Sequence, residues 1–141
     1  MKSVDVNVLV PAWDAGAPDH PAAAAWLEAA VAAAEPLGVS ELVVSGALRV
    51  LTHPRVPGMG HDPGAVLERA GELLDAPGVV RLRPGRRHFA LFRDVVRATG
   101  ATGNEVPDCY HAALALEHEA TWMSRDGFFA RVPGLRWSRP W

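Results

Sequence analysis

The sequence predicts an α/β fold in which helices cover both faces of a central, mainly parallel sheet. Three observations carry that expectation. The chain begins with a run of β-branched residues, then alternates short apolar stretches with longer segments of helical period, and its isolated acids fall where the apolar stretches end.

At 141 residues, one domain with a continuous core is expected, and 49% hydrophobic with 21% charged residues is ordinary for a globular chain. The segment MKSVDVNVLVPAW is too short and too polar for a signal peptide or a membrane span, so a cytoplasmic protein without a membrane partner is expected. The single cysteine, Cys109, excludes an internal disulfide; in an Ala-rich helix it reads as a small buried hydrophobe rather than a nucleophile. A net charge of −2 gives no global attraction to nucleic acid, so any such function needs local charge. Every basic residue except Lys2 is an arginine, and most lie in the second half of the chain. Arginine suits bidentate phosphate contacts, although an Ala-, Gly-, Pro- and Arg-rich composition is also what a GC-rich genome produces.

Taken in order, Ser3 to Val10 (SVDVNVLV) predicts a short strand bounded by Pro11, apolar enough on both sides to lie centrally in the sheet. Asp5 within it is expensive unless an arginine, backbone N–H groups or a metal ion compensates its charge. After a loop from Pro11 to Pro18, Asp19 caps a helix from His20 to about Ala34 with Trp26, Leu27, Ala30 and Val31 as its apolar stripe. Leu37 to Val39 is a strand, and Ser40 caps the helix ELVVSGALRVLTH, which stops at Pro54 and carries Glu41 in its first turn. Pro54 to Asp62 is the longest loop, a candidate lid or partner-binding segment. Asp62 and Pro63 open a helix closed by Pro77 and Gly78; Val79 to Leu82 is a strand; Arg86 to Thr99 is an amphipathic helix ending at Gly100. Asn104 caps the next helix, in which Pro107 sits harmlessly in the first turn and Asp108 faces the same way as the small residues Ala112 and Ala115. Ala120 to Ser124 is a last buried strand that delivers Asp126, and Leu135 to Trp137 is an edge strand.

In open parallel sheets functional groups gather at the carboxyl ends of the strands. Asp5, Glu41, Asp108 and Asp126 all lie near strand ends or helix starts, so four acids can meet. Their mutual repulsion calls for a cation, and oxygen ligands without His or Cys at metal spacing select Mg²⁺ or Mn²⁺. Such an ion holds a phosphodiester and activates water for in-line attack. An acid-dependent phosphatase of the haloacid-dehalogenase kind needs an acid where Asn7 stands, and a receiver domain needs an acidic pair and a late lysine that this chain lacks.

The stretches VDVNVLV, HPAAAAWL, VSELVVSGALRVLTHPRV, GNEVPDCYHAALALEH and TWMSRDGFFARVPGLRW together resemble the PIN-domain ribonucleases, in particular the VapC-type toxins of actinobacterial toxin–antitoxin pairs. The resemblance spans nearly the whole chain and implies a PIN-like α/β/α sandwich over residues 1–141. It also implies an Mg²⁺-dependent endoribonuclease whose acids are Asp5, Glu41, Asp108 and Asp126. In the scheme expected on that basis Asp5 and Asp108 bind Mg²⁺ directly, Asp126 positions a metal or its water, and Glu41 binds a second ion or accepts a proton. Arg49, Arg55 and Arg87 are candidates for phosphate contact, with surface ion pairing or capping as the competing role. The implied partners are an RNA substrate, a VapB-type antitoxin and a second copy of the chain, with Trp13, Trp26, Trp137 and Trp141 as candidate interface aromatics. A housekeeping RNA-maturation nuclease and a non-catalytic RNA-binding module are the alternatives. Two residues depart from the family pattern. Phe128 stands where a second acid is common, and Cys109-Tyr110-His111 replaces a common Ala-His-Leu, which brings His111 near the acids either as an RNA contact or as a packed side chain.

Overall fold

Valine at the start of the chain makes the middle of the sheet. The computed structural model describes residues 1–141. Its strand β1 (Lys2–Val4) lies at the centre of a five-stranded, all-parallel sheet, between β2 (Leu37–Ser40) and β4 (Thr121–Met123), with β3 (Val79–Leu82) and β5 (Trp137–Ser138) at the edges. Ser3 pairs with Gly38 on one side and Trp122 on the other, and Val4 is fully buried. The helices are α1 (Val6–Trp13), α2 (His20–Ala32), α3 (Glu41–Leu51), α4 (Pro63–Asp75), α5 (His88–Thr99) and α6 (Val106–Glu117). Right-handed crossovers place α1 to α4, which lead stepwise to β2 and β3, on one face, and α5 and α6, which lead back to β4, on the other. This is the α/β/α sandwich expected.

The first strand is shorter than its valines predict. Val4, Val6, Val8 and Val10 alternate as in a strand, yet the chain turns helical at Val6. Asp5 causes the switch: its Oδ1 accepts the Val6 N–H at 2.6 Å and Asp5 holds the extended N-cap conformation. From there Val8, Leu9, Ala12 and Trp13 form the buried stripe of a helix, so packing overrides β-propensity. The expected loop at Pro11 is therefore helix to Trp13, and Pro11 is carried inside α1 without the bond to the Asn7 carbonyl that its missing N–H cannot make.

Ser40 caps α3 as expected, its Oγ accepting the Leu42 N–H at 3.1 Å, and Asp62 caps α4 through the Ala65 N–H. Two expected caps differ. Asp19 makes no capping bond to α2, because its carboxylate binds Arg125 instead. Asn104 sits within a 3₁₀ turn, Gly103–Glu105, that leads into α6 without a side-chain cap. Gly100 takes the left-handed conformation (φ 67°) that ends α5. The small residues of α6 pack as a seam: Cys109, Ala112, Ala113 and Ala115 have no exposure, and the Cys109 thiol lies 3.7 Å from Thr99 Oγ1 with burial raising its pKa. Cys109 is thus the buried hydrophobe and not a nucleophile. Trp13 also belongs to the core, while Trp26, Trp137 and Trp141 are partly buried against it, so Trp13 is removed from the candidate interface aromatics. No helix is long and apolar enough to cross a membrane.

Candidate active site

The strand order reverses between β1 and β4, and the crevice beyond their carboxyl ends is where an open parallel sheet places ligands. A cleft of about 980 Å³ opens there. Asp5 enters it directly after β1, Asp126 from the turn after β4, and Asp108 from the first turn of α6. Residues Leu42, Ser45, Gly46, Arg49 and Val50 of α3 form the opposing wall.

Asp5 is 5% exposed and held from three directions. Its Oδ1 accepts the Val6 N–H, and its Oδ2 accepts Ser124 Oγ–H at 2.6 Å and Asn7 Nδ2–H at 2.9 Å. Burial nonetheless raises its pKa, and Asp126 adds to the rise. Ser124 is the hub. Fully buried, it bonds Asp5, accepts Asn7 Nδ2–H at 2.9 Å, and accepts the Asp126 N–H at 3.0 Å. Asp126 in turn caps a short 3₁₀ turn by accepting the Phe128 N–H at 2.8 Å, which explains why hydrophobic Phe128 follows it into the core. Asp108, half-buried, has its pKa pushed up to about 6 by burial first and then by the charges of Asp5, Asp126 and Glu105. None of Asp5, Asp108 and Asp126 has an arginine or lysine within salt-bridge distance, although the chain forms such pairs elsewhere. Three acids with repelling charges therefore share one cleft, and neither Arg49 nor Arg125 of its lining pairs with any of them.

Glu41 is set apart from these three. Its exposed side chain lies outside the cleft lining and pairs with Arg83 at 3.3 Å and Arg81 at 3.9 Å, both from β3 and its end. Among the candidate arginines, Arg49 lines the cleft. Arg55 lies off it in the loop after α3, its N–H bonded to His53 Nδ1. Arg87 also lies off it and is engaged by Glu117: its N–H reaches Oε1 at 2.8 Å and its guanidinium the Glu117 carbonyl at 3.0 Å. Sequence reasoning did not single out Asn7, Ser124 or Arg125 for this cleft. Arg125 lines it with its guanidinium paired to Asp19 and 5.4 Å over the Trp141 ring. Asn7 and Ser124 each stand two residues from a predicted acid, a signal visible once strands are ended at Val4 and Met123. His111 lies on the same wall, buried, its ring stacked on Trp122 at 5.5 Å.

No three His, Cys, Asp or Glu side chains converge tightly enough to cage an ion by themselves. The donor set still fits a hydrated Mg²⁺ or Mn²⁺. The donors are hard oxygens, their charges are unbalanced, and Mg²⁺ keeps several waters in its shell.

The PIN domain profile matches residues 3–135. Ribonuclease VapC43 of Mycobacterium tuberculosis is 42% identical over 140 residues, covering 99% of this chain and 95% of the relative, and a VapC ribonuclease of Mycobacterium bovis matches to the same extent. The crystal structure of VapBC2 from Rickettsia felis bound to a promoter DNA fragment superposes with a TM-score of 0.69 at 14% identity, covering 98% of this chain and 97% of that one. The fold, the site at its strand ends and a relative of this identity over the full length agree: the chain belongs to the PIN-domain family, among its VapC members.

Proposed function

We propose that the protein is a divalent-metal-dependent endoribonuclease, the toxin of a VapBC-type pair, neutralised by a small VapB-type antitoxin. The observation that carries this reading is the cleft in which Asp5, Asp108 and Asp126 come together with none of them paired to an arginine or lysine. The 42% identity to a protein named Ribonuclease VapC43 supports the RNA substrate and the toxin assignment. A second copy of the chain belongs to the same proposal.

Asp5, Asp108 and Asp126 would hold Mg²⁺ or Mn²⁺. Such an ion, when bound, polarises the phosphoryl group and lowers the pKa of an attacking water. The protein's own contributions are positional. Ser124 and Asn7 lock the Asp5 carboxylate in one orientation and tie it to the Asp126 backbone. Arg49 and Arg125 stand at the cleft to meet the phosphate groups of an RNA strand, and the Asp19 pair and the Trp141 ring keep Arg125 oriented. Glu41 acts from the rim, with Arg81 and Arg83 holding its carboxylate, and its contribution is smaller than that of the three cleft acids.

Incubating the purified chain with cellular RNA, with Mg²⁺ or EDTA, and mapping new 5′ ends tests the proposal. Mg²⁺-dependent cuts at a few sites, absent in Asp108→Asn, are expected. Cuts that persist in EDTA or in Asp108→Asn contradict it.

A further inference from the structure

Two buried polar side chains line the cleft, Asp5 and His111. Asp5 accepts from three donors; His111 has no hydrogen-bond partner in the protein. Its Nδ1 is sealed from solvent and unpaired, which leaves Nε2 as the nitrogen that reaches the cleft. The plane of the ring is held, stacked on Trp122 at 16° between planes and edge-on to the Tyr110 ring at 6.2 Å. Burial first, and then His88, lower the His111 pKa to about 4, so the imidazole is neutral near neutral pH and carries one ring proton. An orphaned buried N–H is rarer than an orphaned acceptor, which assigns that proton to Nε2. The wall beside Asp108 thus presents an uncharged N–H donor, one turn along α6 from the carboxylate.

Burying an imidazole without a partner costs stability that an apolar residue would not, and the neighbouring positions Ala112, Ala113 and Leu114 are apolar. The nitrogen facing the cleft, Nε2, has no protein partner and is free for an acceptor that a ligand supplies. Resting on the nuclease reading above, we propose that His111 is a substrate contact, donating a hydrogen bond from Nε2 to a backbone oxygen of the RNA nucleotide seated beside Asp108. A phosphate oxygen and a ribose 2′-hydroxyl offer the same acceptor chemistry, and the test separates them.

His111→Phe keeps an aromatic ring against Trp122 and removes both nitrogens, while adding a larger ring at a buried position. It is expected to stay folded while kcat/KM on an RNA oligonucleotide falls about fivefold to tenfold, the range of one neutral hydrogen bond. If the acceptor is the 2′-hydroxyl, a single 2′-deoxy substitution at the cut slows the wild type and not the variant. If it is phosphate, both substrates slow equally in the variant. In ¹⁵N-histidine spectra of Asp126→Asn, the His111 Nε2–H resonance is expected to shift when RNA is added, a readout that a lowered melting temperature in the Phe variant does not affect. Unchanged kinetics in His111→Phe, or a histidine spectrum indifferent to bound RNA, overturns the inference. A wild type that cuts no RNA instead overturns the nuclease reading.

Discussion

Ser124→Ala removes the atom on which the site is assembled. Its Oγ donates to Asp5 at 2.6 Å and accepts from Asn7 at 2.9 Å and from the Asp126 N–H at 3.0 Å, all within a fully buried side chain. The bond to the Asp5 carboxyl contributes about 1–3 kcal/mol according to its ionisation, and loss of the acceptor for Asp126 N–H adds about 1 kcal/mol. Asn7 keeps its bond to Asp5 Oδ2, so its loss is small. The expected destabilisation is about 3 kcal/mol. With about 2.1 cal/mol/K of unfolding entropy per residue, a chain of 141 residues loses about 10 °C in melting temperature. Calorimetry of both proteins in EDTA near neutral pH measures this, and RNA cleavage by the variant is expected to fall with it. A melting temperature within about 2 °C of the wild type refutes the hub.

Asp108→Asn is expected to abolish cleavage and yet stabilise the metal-free protein. The folded state raises the Asp108 pKa to about 6, so the stability linked to its protonated form is complete below the ordinary 3.8 and is lost as pH rises through about 6. A shift of that size in a fully buried group is worth up to about 3 kcal/mol; at this half-exposed position solvent screens it to about 1 kcal/mol. Melts in EDTA should therefore place the variant a few degrees above the wild type near neutral pH, with the gap closing by about pH 4; a variant that melts lower at neutral pH contradicts the electrostatics. Glu41→Gln is expected to retain measurable cleavage where Asp5→Asn, Asp108→Asn and Asp126→Asn retain none, because Glu41 sits outside the cleft in its arginine pairs; equal loss in all four shows that Glu41 swings inward. Gly78→Ala would place a Cβ 2.1 Å from the Val31 carbonyl oxygen, a backbone atom that cannot yield, and should cost about 1–3 kcal/mol in urea unfolding.

What could be read from the sequence was local. Ser40 before an apolar helical run, Asp62 before Pro63, and Gly100 after a helix each specify a boundary by their own chemistry, and the structure has those boundaries. Asp5 misled because two codes overlap. The valines at 4, 6, 8 and 10 fit a strand, while the buried Val8, Leu9, Ala12 and Trp13 fit a helix, and only tertiary packing with the Asp5 cap decides between them. Three of the four predicted acids line one cleft, Asp5 and Asp126 following strands and Asp108 in the first turn of α6. Glu41 differs because its partners, Arg81 and Arg83, come from β3 and its end, about forty residues away, a register that no local pattern states. The same holds for Asp19 and Arg125, 106 residues apart, so that a textually obvious helix cap became one half of an ion pair at the cleft. The supporting roles of Asn7 and Ser124 were hidden for a related reason: their donors matter only once β1 and β4 lie side by side.

On the proposed function, Asp5, Asp108 and Asp126 together hold the divalent ion on which RNA cleavage depends. Titration of the metal-free protein with Mn²⁺, followed by the loss of free-ion electron paramagnetic resonance signal, tests it without requiring a known substrate. Saturable binding by the wild type is expected, with at least tenfold weaker binding by each of Asp5→Asn, Asp108→Asn and Asp126→Asn in folded protein. Wild-type affinity in a folded Asp5→Asn variant would contradict it.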